Sequence, residues 1–295
     1  MKIVPSCFPC VLRRILSTAG RITDDDWLHQ KLLGKAMTEL AALDRDTTPA
    51  EMVHSMQTLL SKTLGAADPY QKEREDWFQE LEGLEERIGA RVDAADDPLE
   101  CALLLAARAN VFDDECLSQR AVREELKRLG LREGAPEPCE GFAFSDLDLF
   151  LKDIEDHRTL LFFHDSGPEV PFDRVLIERI LAASGSLEVT CVVRSHPVLL
   201  DAVREDLERV GIPEIPGVVR TVDPGISALG VPLNECSREF REVFDRSEVI
   251  LAKGQAHLET LVDCGRPAYF LLRVKCAVVE KAQGAQIGDL LFLKP

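Results

Sequence analysis

Three short apolar runs in the second half of the chain each lead to reactive side chains at their C-terminal ends. Leu160 to Phe163 stops at His164-Asp165, VTCVV leads through His196 to Asp201, and VILA ends at Lys253. Buried strands that present such groups just before a helix are how open α/β sheets build ligand sites. Two carboxylates, Asp165 and Asp201, suit a hard divalent cation, which binds through one or two carboxylates, water and substrate phosphate. Lys253 adds a long-stemmed positive charge suited to phosphoryl oxygens. These three are the candidate catalytic residues, and they point to an enzyme.

The turn after Asp165 reads Ser166-Gly167-Pro168-Glu169. Its backbone N–H groups and the next helix N-terminus favour an anion. Gly167 and Glu169 therefore join Lys253 as candidates for holding phosphate, with a cation between that phosphate and Asp165. The bland alternative is that Asp, Ser and Gly fill loops because they form turns and caps. No GxxxxGK[ST] loop occurs, and no GxGxxG follows the first strand, which removes an NAD-binding reading.

The elements that must position these residues fall into two rhythms. Before residue 140, apolar residues recur at three- and four-residue spacing over 27–43, 51–64, 73–92, 98–112 and 116–129, which predicts helices. Asp97-Pro98 supplies a cap and a first-turn proline. REGAPEPCEG, residues 132–141, has no periodicity and reads as a seam. Beyond it, apolar runs at 160–163, 187–193, 218–222, 249–252 and 268–274 alternate with amphipathic helices, the pattern of βαβ units. The tail AQIGDLLFLKP predicts one more strand, at an edge. The expected fold is α/β: a helical N-terminal region, 1–140, acting as a lid on a three-layer α/β/α Rossmann-like core, 141–295, with a mainly parallel sheet.

Composition narrows the function. The chain has 295 residues and a formal charge of −17, which argues against nucleic acid as a partner, because phosphate backbones select basic surfaces. No apolar run approaches the roughly 20 residues of a membrane span, and MKIVPSCFPC lacks the apolar stretch of a signal peptide. The nine cysteines are an odd number, scattered through helical segments, which describes a reduced, cytoplasmic protein. Cys7-Phe-Pro-Cys10 opens a helix, where thiol pKa values fall. There is no second CxxC to complete four zinc ligands, and Cys276 is the candidate third member of a metal or structural cluster. Packing and redox chemistry are the other readings of that pair.

The chain also resembles a known family. Cys7-Phe-Pro-Cys10, Asp68-Pro69-Tyr70, Asn110-Val-Phe-Asp113, Asp165 with Glu169 and Phe172-Asp173, and VVR…P…DA.RED at Val192 to Asp206 come first. G.PL.ECS..F at Gly230 to Phe240, KGQ...E at Lys253 to Glu259 and FLL.VKC at Phe270 to Cys276 follow in order. Together they resemble the damage-control phosphatases, formerly domain of unknown function 89, and in particular their short prokaryotic CxxC-bearing branch. The resemblance implies a metal-dependent phosphatase acting on a small phosphorylated metabolite. It also implies nickel, cobalt, manganese or magnesium held at Asp165, Ser166 and Asp201, with Lys253 on phosphate; iron is a further candidate metal.

The site motif diverges from that family. Ser166 stands where the family has a ligating asparagine, and Ser195-His196 and Ala256-His257 replace its Gly-Gly and Gly-Asn. His164, His196 and His257 lie at three strand ends, and imidazole suits late transition metals. His196 and His257 are therefore candidate additional ligands that would substitute for the lost amide. The runner-up function is a weak or inactive member that binds a metal or phosphorylated ligand without turnover.

Overall fold

A computed structural model describes residues 1–65, 68–113, 117–132 and 141–295. Among the described residues seven helices come first: α1 (Cys7–Gly20), α2 (Asp26–Ala41), α3 (Pro49–Leu64), α4 (Gln71–Glu80), α5 (Leu84–Asp93), α6 (Pro98–Ala109) and α7 (Gln119–Arg128). Their starts obey local chemistry. Thr48 and Glu51 form a capping box on α3, and Asp97 accepts the Glu100 N–H ahead of Pro98 on α6. The expected single helix over 73–92 is two, because Gly83 takes φ +68° between α4 and α5, a left-handed conformation that interrupts a helix. The start of the 116–129 helix and residues 133–140 of the expected seam lie outside the described residues.

The second half runs β1 (Phe144–Ser145), α8 (Leu147–Asp156), β2 (Thr159–Phe163), α9 (Val170–Ala183), β3 (Glu188–Val192), α10 (Arg204–Arg209), β4 (Val218–Val222) and α11 (Arg238–Arg246). It continues through β5 (Val249–Lys253), α12 (Gln255–Leu261), β6 (Tyr269–Arg273), α13 (Ala277–Gln283) and β7 (Leu290–Leu293). The strands form one sheet in the order β1-β7-β6-β5-β2-β3-β4. All pairings are parallel except the antiparallel β6–β7. The tail strand β7 is thus not at the edge, because the two residues of β1 pair outside it.

Alternation along the strands divides the core in two. Leu160, Phe162, Leu251, Leu271 and Phe292 face a cluster shared with α5, α6 and α9, whereas Leu161, Phe163, Ile250, Ala252 and Leu272 face α11 and α12. The N-terminal helices also divide. Helices α5 and α6 pack on α9, and α6 also meets β6 and β7. Helices α1, α2 and α3 bury Ile15, Leu32 and Met56 in a separate cluster. Chain order reverses between β2 and β5, since β3 and β4 lie on one side of β2 while β5 and β6 lie on the other. Ligands of open α/β sheets bind outside the strand ends at such a switch point. No helix among the described residues is long and apolar enough to cross a membrane.

Candidate active site

Two loops leave the sheet beside the switch point and are laced together by their backbones. After β2, the Asp165 carbonyl accepts the Ala202 N–H at 2.8 Å, and the Gly167 N–H donates to the Leu200 carbonyl at 2.8 Å. Ser166 and Asp201 form an isolated antiparallel bridge. Thus Asp165 and Asp201, 36 residues apart in sequence, come to the same place. The loop that carries Asp201 includes Leu199 at φ 54°, a left-handed conformation uncommon outside glycine. Arg74 of α4 donates to the Leu199 carbonyl at 2.8 Å, so an N-terminal helix holds this turn.

Glycine at position 254 makes the approach of Asp165 to β5 possible. Its φ is +83°, and a Cβ there would lie 2.0 to 2.3 Å from the Asp165 carboxylate. Asn110, fully buried at the end of α6, donates from its side-chain amide to Asp165 Oδ2 at 2.6 Å and to Glu169 Oε1 at 3.0 Å. Asp201 Oδ2 accepts from Arg194 Nε at 3.1 Å, and Arg194 Nη2 donates to the Gly230 carbonyl at 2.6 Å. Sequence reading picked out Asn110 and Arg194 only as members of motifs. Their roles were hidden because each acts on a carboxylate in another segment.

Lys253 is placed differently from the sequence expectation. Its ammonium is wholly buried, donating to Glu169 Oε2 at 2.6 Å and to Asp173 Oδ1. Burial works against its charge, yet Asp173 and Glu169 outweigh that and push its pKa up. It does not border the cavity described below, so here it joins two acids instead of gripping phosphate. Glu169 is equally committed: Ser166 Oγ donates to its Oε1 at 2.8 Å. Gly167 is likewise no phosphate donor in this arrangement, because its N–H is used by Leu200. Its lack of a side chain serves packing, since a Cβ would come to 2.7 Å from Asp206 Oδ2.

Asp165 and Asp201 face a cavity of about 160 Å³ between the strand ends and helices α1 and α3. Asp113, Arg14, Lys275 and Glu259 also border it. Lys275 Nζ lies 3.2 Å from Asp113 Oδ2. Burial raises the Asp165 pKa well above the carboxylate range, with Glu169 and Asp113 adding to the effect and Lys275 opposing it. Burial raises Asp201 to about 6 against the pull of Arg194, with Asp113 again adding. The wall is therefore rich in sequestered, mutually repelling acids. A cation would relieve that repulsion.

The three histidines do not gather there. His196 is exposed, and its Nδ1 meets Ser195 Oγ at 2.8 Å. His257 points its Nδ1 at the Lys253 carbonyl at 2.6 Å and packs on Phe163. Burial lowers its pKa to about 3, with Arg194 adding. His164 Nδ1 lies 2.7 Å from Asp173 Oδ2. His196 and His257, expected to replace the lost amide, do not border the cavity of Asp165 and Asp201 in this arrangement: one ring faces solvent and the other caps a backbone carbonyl. Among the described residues, no three His, Cys, Asp or Glu side chains are arranged to hold a metal ion. An ion here would rely on Asp165 and Asp201 together with neutral oxygens or water.

Cys7, Cys10 and Cys276 all border the same cavity, although among the described residues they are not grouped to hold a metal ion. The thiol pKa of Cys7 is raised, not lowered as its helix-start position suggests. Burial is the main cause; the Val4 N–H opposes it, and Cys276, Glu259 and Cys10 add to it. Gln255 donates to Cys276 Sγ at 3.2 Å.

Fold and site together define a Rossmann-like α/β protein with a buried acidic centre at its topological switch point. The chain belongs to the damage-control phosphatase ARMT1-like family, whose domain model matches residues 3–291. It is 28% identical to a protein of Archaeoglobus fulgidus named damage-control phosphatase, over 99% of this chain and 98% of that one. A Pyrococcus horikoshii protein, also named damage-control phosphatase, is 28% identical over 100% of this chain and 98% of its own. The crystal structure of a DUF89 family protein from Pyrococcus horikoshii superimposes with a TM-score of 0.83 at 26% identity, covering 100% of this chain and 99% of that one. These relatives support a phosphatase, and hence a hydrolase, role.

Proposed function

We propose that the chain is a metal-dependent phosphatase acting on a small phosphorylated metabolite. The observation that carries this reading is the convergence of Asp165 and Asp201 on one cavity that also has Arg14 and Lys275 in its wall. Asp165 and Asp201 would hold the cation. Ser166 directs its proton to Glu169, so its oxygen keeps lone pairs for a weak third contact. When bound, the cation supplies positive charge that neutralises phosphoryl oxygens as the ester bond breaks. Magnesium, manganese, cobalt, nickel and iron(II) all accept such oxygen donors.

The chain's own residues supply the rest. Lys275, oriented by Asp113, and Arg14 hold the phosphate. Asn110 fixes Asp165, and Arg194 fixes Asp201, so both carboxylates keep their positions when a charged substrate arrives. Lys253 acts through Glu169 and Asp173 as a positioning residue. Water is the nucleophile. The helical region 1–140 serves as a cover, since α1 and α3 wall the cavity opposite the 141–295 core. One observation favours the alternative of ligand binding without turnover: Lys253 is sequestered by two acids and does not reach the cavity.

The test is phosphate release from a panel of phosphomonoesters with Co²⁺, Ni²⁺, Mn²⁺, Fe²⁺ or Mg²⁺. Turnover that is lost in Asp165→Asn and Asp201→Asn supports the enzyme. Ligand binding without release under every metal supports the alternative.

A further inference from the structure

Among the described acids on the cavity wall, Glu259 is held unlike the others. Asp113 meets the Lys275 ammonium, Asp201 meets the Arg194 guanidinium, and Asp165 is fixed by Asn110. The hydrogen bonds to buried Glu259 come from neutral amides. Its Oε1 accepts from Gln255 Nε2 at 3.0 Å, and the Ala50 N–H of α3 also donates to it. Helix α12 fixes its place. Gly254, just before that helix, lies against the Asp165 carboxylate. Glu259 follows five residues later, about 7 Å further along the helix axis, and borders the same cavity. The charge of Arg14, on α1, acts on both Asp201 and Glu259, so a phosphate held by Arg14 lies near both acids.

We propose that Glu259 is the general acid of the site, giving its proton to the ester oxygen as the leaving group departs. This rests on the reading of the cavity as a phosphatase site. In-line displacement puts the attacking and leaving oxygens on opposite sides of phosphorus. With water arriving on the side of Asp165 and Asp201, the ester oxygen points along α12 toward Glu259, at a hydrogen-bond distance of about 2.7 Å. The P–O ester bond breaks with its electron pair on the ester oxygen, which takes the Glu259 proton and leaves as an alcohol. Water adds to phosphorus, its surplus proton passes to solvent, and Glu259 is reprotonated from solvent. Burial raises the Glu259 pKa to about 7, with Gln255, the Met1 amine, Arg14 and Ala50 opposing it; the Cys7 thiol of α1 also feels its charge. Such a group carries a proton near neutral pH, as an acid catalyst requires.

The experiment compares two esters on the full-length protein with saturating Co²⁺. p-Nitrophenyl phosphate releases a stable anion and needs no acid, whereas ethyl phosphate releases an alkoxide that does. Glu259→Gln is expected to lower kcat/KM for ethyl phosphate about 100-fold more than for p-nitrophenyl phosphate. In wild type, ethyl phosphate turnover is expected to fall above about pH 7 relative to that of p-nitrophenyl phosphate, a comparison that needs no variant. A third readout is independent of turnover. Infrared difference spectra, metal-free wild type minus Glu259→Gln, are expected to show a protonated-carboxyl band at about pH 6 that is gone by about pH 8.

Equal losses on both esters, parallel pH profiles in wild type, or no such band at about pH 6 overturns the assignment of Glu259 and leaves the phosphatase reading standing. No phosphate release from either ester with any metal overturns the phosphatase reading itself, and this inference with it.

Discussion

Asn110 offers the most demanding test of the buried polar cluster, because one side chain satisfies two acids from separate parts of the chain. Its amide donates to Asp165 at 2.6 Å and to Glu169 at 3.0 Å, with 0% of the residue exposed. Asn110→Leu keeps the heavy-atom count but removes both of these bonds, together with the one that Asn110 Oδ1 accepts from the Arg273 N–H at 3.4 Å. The bond to Glu169, which is paired with Lys253, is to a charged group and contributes about 1.5–3 kcal/mol, whereas the bond to Asp165, whose pKa burial raises, contributes about 0.5–1.5 kcal/mol. The two share one amide and are not independent, so a loss of about 3 kcal/mol is expected, roughly 150-fold in the folding equilibrium. Asn110→Asp is expected to lose more at pH 8, because a third carboxylate then stands against the other two. Equilibrium urea unfolding followed by circular dichroism measures both. An Asn110→Leu protein within about 0.5 kcal/mol of wild type, the range of ordinary surface changes, would refute the reasoning.

Three further outcomes follow from the same geometry. Gly254→Ala should cost about 2 kcal/mol or more through its left-handed backbone and its collision with Asp165, and thermal unfolding together with cobalt titration would register both consequences. His257 has its folded pKa depressed from 6.5 to about 3. Its stabilising effect is therefore complete above pH 6.5 and is lost as pH falls towards 3, amounting to about 3 kcal/mol by pH 4.5. His257→Phe should flatten that acid limb in urea titrations at pH 7.5 and 4.5, and an unchanged pH dependence would contradict the assignment. Finally, His164 Nε2 and Arg194 Nη1 are buried without hydrogen-bond partners among the described residues, and both residues border a cavity of about 10 Å³. That is close to the space one water needs, so a high-resolution crystal structure should show a water bonded to both, and a dry cavity would exclude it.

Much of the sheet was legible because buried parallel strands are nearly continuous apolar runs. Val249 to Ala252 and Leu160 to Phe163 announce themselves in this way. Asp165 and Asp201 were legible for a related reason: each follows such a run. What the sequence did not reveal depends on pairing across distance. Lys253 looks like a phosphate ligand until Glu169 and Asp173, 84 and 80 residues away, are seen on either side of its ammonium. Asn110 reaches Asp165 over 55 residues, and no local pattern marks that bond. His196 and His257 share strand ends with the acids, but a strand end fixes only where the backbone is. Whether a ring turns to solvent, as His196 does, or onto a carbonyl, as His257 does, is settled by neighbours. Gly83 was readable as a glycine but not as a left-handed one, and so one expected helix became two.

The central claim is that Asp165 and Asp201 hold a divalent cation without help from histidine. Metal content should be measured after purification without a nickel column and reloading with Co²⁺, for wild type, Asp165→Asn, Asp201→Asn, His196→Ala and His257→Ala. One ion per chain in wild type and both histidine variants, with none retained in either aspartate variant, is the predicted result. Full occupancy in the aspartate variants, or its loss in the histidine variants alone, would contradict the account.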